Sequence, residues 1–279
     1  MRTRSNRVVA VVALIAVSTL AACGTSSSGT STTTSASSTA GHRTLTIMVT
    51  NDDGFGAPGI DAVVQGLRTL TGTQVTVVAP LTNQSGTGGK TTLGSAGALV
   101  TSKEQTASGY PATAVHGYPA DTVIWAVEDH GLPFRPDLVV SGINFGQNIG
   151  PLAADSGTVG AAREAVSLGV PALAASQGVD NGSAPDFSEA VPIVEHWVEQ
   201  HRAQLLARSY GSKPPQANLN VPTCADGSVR GPVTTVLATS GDVGQTTHVD
   251  CTSTSTSYDD DLAAFEIGFA TLTPLYPPG

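Results

Sequence analysis

Positive charge, aromatic rings and sulfur are all scarce in this chain, and each shortage narrows what it can do. Thirteen lysines and arginines stand against twenty-two acids, for a formal charge of −9. Three of the arginines, Arg2, Arg4 and Arg7, fall in the first 22 residues, which hold no acid. So acidic a surface argues against a nucleic-acid polymer or an anionic membrane face as partner. Small phosphates stay open, because a metal can hold them locally. Aromatics are 5% and glycines number 31, which favours an open α/β domain with glycine-bearing loops over a helical bundle. No internal repeat is present. G-x-S-x-G is missing, against a serine esterase, and no Asp-x-Asp follows the first strand, against an aspartyl-phosphate phosphatase. Gly89-Lys90-Thr91 lacks the first glycine of a phosphate loop, whose place Gln84 takes, and Lys90 reads as exposed. The six histidines, at 42, 116, 130, 196, 201 and 248, show no metal spacing and read as structural or surface groups.

The three cysteines divide into one and two. Behind the early arginines, residues 8–22 are apolar but too short to span a bilayer comfortably. The run ends Leu20-Ala21-Ala22-Cys23, similar to the lipobox of bacterial lipoproteins, in which Cys23 takes the lipid and becomes the mature N-terminus. A plain secretory signal or membrane anchor with an incidental cysteine is the alternative. Residues 24–41 are uncharged Ser, Thr, Gly and Ala, a flexible tether with a root-mean-square reach of roughly 23 Å. The expected division is a signal peptide over 1–22, a lipidated cysteine and tether over 23–41, and one domain over 42–279. It places the domain outside the cytoplasm, held to a bacterial membrane by its lipid alone. The remaining pair in an exported chain, Cys224 and Cys251, suggests one disulfide contributing roughly 3–4 kcal/mol. Two free buried thiols are the alternative.

Apolar periodicity predicts strands over 45–49, 74–79, 137–140, 171–176, 218–222, 233–237 and 265–272. It predicts helices from Ile60 to Leu70, from Pro119, from Ser156 to about Val166, and over 187–207. A hairpin falls within 91–115, residues 246–257 read as mobile, and Asp259-Asp260-Asp261 reads as a solvated charge run. Trp125 and Trp197 sit on apolar helical faces, and Asp121 reads as a structural group in a helix's first turn. Strand, helix, strand at the start implies a parallel sheet.

Polar clusters follow the strands. Asp52 and Asp53 come after the first, Ser85 after the second, and Asn144 and Asn148 after the third. Loops at the carboxyl ends of parallel strands share one edge, so these oxygens can converge. Two adjacent carboxylates ending a buried strand are costly unless something positive shares them. Two carboxylates, a hydroxyl and an amide suit Mg²⁺, Mn²⁺ or Ca²⁺ and suit zinc poorly. The plainer alternative is that one acid caps the helix while the glycines serve the turn. The helix opening at Ser156 adds unsatisfied N–H groups and a positive dipole end, an anion site. Cation and anion sites on one edge are what hydrolysis of a phosphate ester needs.

Several motifs occur in order: Asn51-Asp52-Asp53-Gly54, Ala57-Pro58-Gly59-Ile60, Val78-Ala79-Pro80, Ser85-Gly86, Gly117-Tyr118-Pro119-Ala120-Asp121, Ser141-Gly142-Ile143-Asn144-Phe145-Gly146-Gln147-Asn148 and Ser156-Gly157-Thr158-Val159. With Asn220-Val221-Pro222 and Thr273-Pro274-Leu275 they resemble the SurE family of nucleotidases and acid phosphatases over essentially 44–275. The resemblance implies a Rossmann-like α/β fold: a mostly parallel sheet flanked by helices, with a C-terminal β-rich extension. It implies removal of phosphate from nucleoside monophosphates by metal-activated water, with Mg²⁺ or Mn²⁺, in a homodimer or tetramer. Carried over by residue, Asp52 and Asp53 are catalytic, and Asp52, Asp53, Ser85 and Asn144 bind the metal. Gly54, Asn148, Ser156, Gly157 and Thr158 line the phosphate site. Thr82-Asn83-Gln84 is neutral where basic residues are common in the family, Asp155 stands where tyrosine is common, and Gln147 replaces a usual proline. These departures motivate a rival, a nucleotide- or phosphate-binding lipoprotein with weak catalysis.

Overall fold

The protein is described by a computed structural model covering residues 43–92, 99–179, 185–210, 214–241 and 249–276. The expected signal peptide, Cys23, the expected tether, His42 and residues 246–248 lie outside the described residues.

The chain runs β1 (Leu45–Thr50), α1 (Pro58–Leu67), β2 (Thr73–Pro80), β3 (Thr101–Gln105), β4 (Pro111–Val115), α2 (Pro119–Val127), β5 (Leu138–Phe145), α3 (Gly157–Ser167), β6 (Ala172–Gln177), α4 (Ala190–Ala207), β7 (Gln216–Val221), β8 (Arg230–Thr234), α5 (Asp261–Glu266) and β9 (Phe269–Thr273). One sheet holds the strands in the order β3-β4-β2-β1-β5-β6-β7-β9-β8. From β4 to β7 every pairing is parallel. β3 joins β4 antiparallel as a hairpin, and β9 lies antiparallel to β7 with β8 beside it. This is the expected mostly parallel α/β sheet with its C-terminal β extension.

The strand period of two sends side chains to two separate cores. Ile47 and Val49 of β1 pack under α1 and α4 with Ile60, Val64, Leu67, Val194 and Trp197. Met48, between them, faces the other way with Val78, Val139, Val123 and Val159 under α2 and α3. Strands buried on both faces read as unbroken apolar runs. Trp197 is core and Trp125 packs at its margin. Asp121 ties down the start of α2, its carboxylate accepting from Tyr118 N (2.8 Å) and Thr92 N (2.9 Å).

Four expectations are corrected. β5 does not stop at Val140 but continues to Phe145, because after a register shift Asn144 and Phe145 pair with Ser176 and Gln177 of β6. The strand expected over 233–237 lies earlier, at Arg230–Thr234. The strand expected over 265–272 starts only at Phe269, since α5 occupies the residues before it. The expected charge run is a helix start: Asp260 Oδ1 accepts Ala263 N (2.9 Å), and Asp261 is fully buried, accepting Ala238 N (2.8 Å) and Gly150 N (3.0 Å). Cys224 and Cys251 form a disulfide, Cα atoms 5.7 Å apart, packed with Ile149 and Phe265.

At the opposite end of the sheet from these loops, Asp137 is fully buried and holds the amino end of β5. Its carboxylate accepts from Thr46 N (3.0 Å), Thr46 Oγ1 (2.9 Å), Arg43 Nη1 (2.9 Å) and Arg208 Nε (2.9 Å). Burial alone would raise its pKa, but the bonds from Thr46, Arg43 and Arg208 outweigh it and hold the carboxyl below its ordinary value. A lowered folded pKa means stability present above the unfolded value, about 3.9, and lost as pH falls through the folded one. Asp137→Asn is expected to cost about 1.5–3 kcal/mol near neutral pH. Urea midpoints for both proteins should converge as pH falls below about 4; a gap that persists undiminished at pH 2 would contradict this role.

Candidate active site

The sheet reverses its strand order between β2, β1 and β5, and the loops after these three strands meet at their carboxyl ends. The turn after β1 is set by Asn51, fully buried, whose amide donates to Gly54 O (2.9 Å) and whose Oδ1 accepts Gly54 N (3.2 Å). That closed ring turns Asp52 and Asp53 outward from the strand end. Gly54 thus shapes the turn.

Three loops are then stitched together through these acids. From the loop after β2, Gln84 N donates to Asp52 O (2.7 Å) and Asn83 Nδ2 to Asp53 Oδ1 (3.3 Å). Asn83 Oδ1 in turn accepts Ser85 N (2.9 Å). From the end of β5, Phe145 N donates to Asp53 Oδ2 (3.1 Å). The register shift of β5 makes this possible. Gly142 has φ +139°, and a Cβ there would stand 2.2 Å from Ala175 O, so no other residue fits the step. Beyond it Asn144 is nearly buried, its amide donating to Gly146 O (2.7 Å) and Phe145 O (3.3 Å). Its carbonyl oxygen is the acceptor left over.

A cleft of about 250 Å³ is lined by Asp52, Ser85, Asn144, Asn148, Asp155 and Ser156, among others. Asp53 lies on an adjoining cleft that also contains Ser85. Gly157 and Thr158 are placed otherwise. They sit behind Asp52, with Thr158 Oγ1 donating to Asp52 Oδ1 (2.6 Å), and a Cβ on Gly157 would come within 2.8 Å of the Asp52 Cβ. The start of α3 spends its donors on the nearest anion, which is the protein's own carboxylate. Ser156 caps the helix, its Oγ accepting Val159 N (3.1 Å).

Asn148 is held by residues that sequence reasoning passed over. Asn220 Oδ1 accepts Asn148 N (2.6 Å), while the amides of Asn218 (2.9 Å) and Asn220 (3.3 Å) donate to Asn148 O. Asn148 Nδ2 donates to Ser176 Oγ (2.8 Å). The signal was available. Asn218 and Asn220 fall at the strand period in β7 between the apolar Ala217, Leu219 and Val221, and mark one buried face that needs polar partners.

Burial raises the pKa of Asp52, against the opposing Thr158 hydroxyl and the N–H groups of Thr158 and Gly157. Burial and then the charge of Asp52 push Asp53 up to about 6, against the Phe145 N–H. Among the described residues neither acid makes an ion pair with lysine or arginine. Nor does any group of three or more His, Cys, Asp or Glu among them suit a metal ion. A cation here would draw on Ser85 and Asn144 as well as the acids. That set is all oxygen, its two carboxylates lack a counter-charge, and it fits a hard divalent ion.

The family model described as "Survival protein SurE" matches residues 47–242. The 5'-nucleotidase SurE of Pelobacter propionicus is 41% identical over 189 residues, 68% of this chain and 70% of that protein. The 5'-nucleotidase SurE of Methanopyrus kandleri is 40% identical over 169 residues, 57% of this chain and 61% of its own. Among solved structures, the SurE protein from Aquifex aeolicus superposes with a TM-score of 0.64 at 26% identity, covering 84% of this chain and 95% of that one.

Proposed function

The chain belongs to the SurE family, and we propose that it is a divalent-metal-dependent phosphohydrolase that removes phosphate from nucleoside monophosphates. The observation that carries the reading is the pair Asp52 and Asp53, without a cationic partner among the described residues, at an edge shared with Ser85 and Asn144. The relatives' name as 5'-nucleotidases supports the substrate class. In this reading Asp52, Asp53, Ser85 and Asn144 hold the ion, Mg²⁺ or Mn²⁺. When bound, such an ion supplies Lewis acidity toward phosphoryl oxygens and lowers the pKa of water.

The chain's own residues do the rest. Asn148 and Ser156, lining the same cleft as Asp52, receive the phosphoryl group, and the hold of Asn218, Asn220 and Ser176 on Asn148 fixes where it lies. Thr158 and Gly157 fix Asp52 from behind, so that its second oxygen keeps one direction. Asp155 adds a negative charge at the cleft and no lysine or arginine among the described residues lines it, so the phosphate's charge is left for the cation to offset. Weak catalysis with retained binding is the rival these features favour.

The leader completes the proposal. Cys23, after Leu20-Ala21-Ala22, is the lipid acceptor, residues 24–41 are the tether, and the phosphatase domain over 42–279 works outside the cytoplasm at a bacterial membrane. Cys23→Ala expressed in a bacterial host should lose labelled fatty acid and leave the membrane fraction; retention of both would refute the anchor.

The activity is tested by phosphate release from a panel of nucleoside monophosphates with Mn²⁺ or Mg²⁺, against EDTA. Wild type should be active only with metal, and Asp52→Asn should lose on the order of 10²-fold or more in kcat with its fold intact. Near-wild-type release by Asp52→Asn would overturn the mechanism. Tight nucleotide binding without release by the wild type would decide for the rival.

A further inference from the structure

The second cleft at this edge has a different character from the first. About 380 Å³ in volume, it has Asp53, Asn83 and Ser85 at its polar side and Ala57, Phe145 and Phe187 at its apolar side. Phe187 is buried, 3% exposed, and forms the floor: its ring tip lies 3.0 Å from where a Cβ on Gly59 would stand. Phe145 is 51% exposed, although its N–H is fixed to Asp53 Oδ2 at 3.1 Å. Among the described residues neither ring packs against another aromatic, while Trp197 stacks on His201 and Tyr258 meets Phe269 at a tilt. A half-exposed phenyl group whose backbone is tied to a carboxylate costs apolar hydration, and it offers a flat face to whatever enters.

The two clefts share Ser85 and Phe145. A phosphomonoester with its phosphate between Asn148 and Ser156 therefore extends its alcohol portion past Ser85 into the apolar cleft. We propose that this cleft is the leaving-group site of the enzyme and that Phe145 is its specificity-determining residue, stacking on the nucleobase of a nucleoside monophosphate above the floor made by Phe187. The inference rests on the phosphohydrolase reading and deepens it, by naming the part of the substrate that the chain selects. Stacking on one ring tolerates any base, so purine and pyrimidine nucleotides are both accepted and the larger purine face is favoured. Since no lysine or arginine among the described residues lines either cleft, the ring supplies discrimination that charge does not.

The test is calorimetric binding to the full-length protein with Mn²⁺ present, using adenosine 5'-monophosphate, ribose 5-phosphate and inorganic phosphate as probes. Wild type should bind the nucleotide more tightly than ribose 5-phosphate. Phe145→Ala should weaken the nucleotide roughly tenfold while leaving ribose 5-phosphate and phosphate unchanged, and Phe145→Tyr should restore the nucleotide's affinity. If Phe145→Ala changes no probe, or weakens all three alike, the cleft is not a base site. If nucleotide binding depends on Phe145 but no phosphate is released, the cleft stands and the hydrolytic reading falls.

Discussion

Two carboxylates on neighbouring residues at the end of a buried strand, Asp52 buried and Asp53 half-buried, repel each other and cost the fold free energy. Burial raises the pKa of Asp52, and burial together with that neighbour pushes Asp53 up to about 6. Nothing cationic among the described side chains relieves them. A fold that only needed stability would place an amide or an aliphatic group there. Here three loops are instead tied to these two residues, by Asn83, by Gln84, by Phe145 and by Thr158. The edge is built to present negative charge in one place.

The rest of the architecture serves that placement. Apolar faces above and below the sheet fix the strand ends from which the loops leave. Two glycines allow backbones to come closer than any side chain would permit: Gly142 against Ala175, and Gly157 against Asp52. The C-terminal part of the chain takes part as well. β7 supplies Asn218 and Asn220 to the loop that carries Asn148, while Asp261 of α5 accepts Gly150 N two residues further on. The disulfide packs against Ile149 in the same stretch. This part of the chain therefore braces one wall of the cleft.

Much of this was legible in the residues themselves. The central strands announced themselves as continuous apolar runs, and the acid-rich turn after β1 stood out because carboxylates rarely end such runs. Places where side chains answer to distant partners were harder to read. Asp259-Asp260-Asp261 looks solvated from its composition, yet Asp261 is buried because two main-chain N–H groups from Gly150 and Ala238 converge on it. β5 reads as ending at Val140, since Ser141-Gly142-Ile143-Asn144 is turn-like in isolation, but pairing with β6 carries it on. The resemblance places Thr158 at the phosphate site, and its hydroxyl donates to Asp52 in a contact across 106 residues. Local preference decides an element when its partners are adjacent; it yields when a partner arrives from elsewhere in the chain.

The central claim is that Asp52, Asp53, Ser85 and Asn144 surround a single hard ion. Crystals of the protein soaked in Mn²⁺ and measured at the manganese absorption edge test it most directly. The account predicts one anomalous peak within about 2.0–2.5 Å of oxygens from both aspartates and from Asn144. No peak, or one bound elsewhere while the Asp53 and Asn144 side chains stay apart, would contradict it.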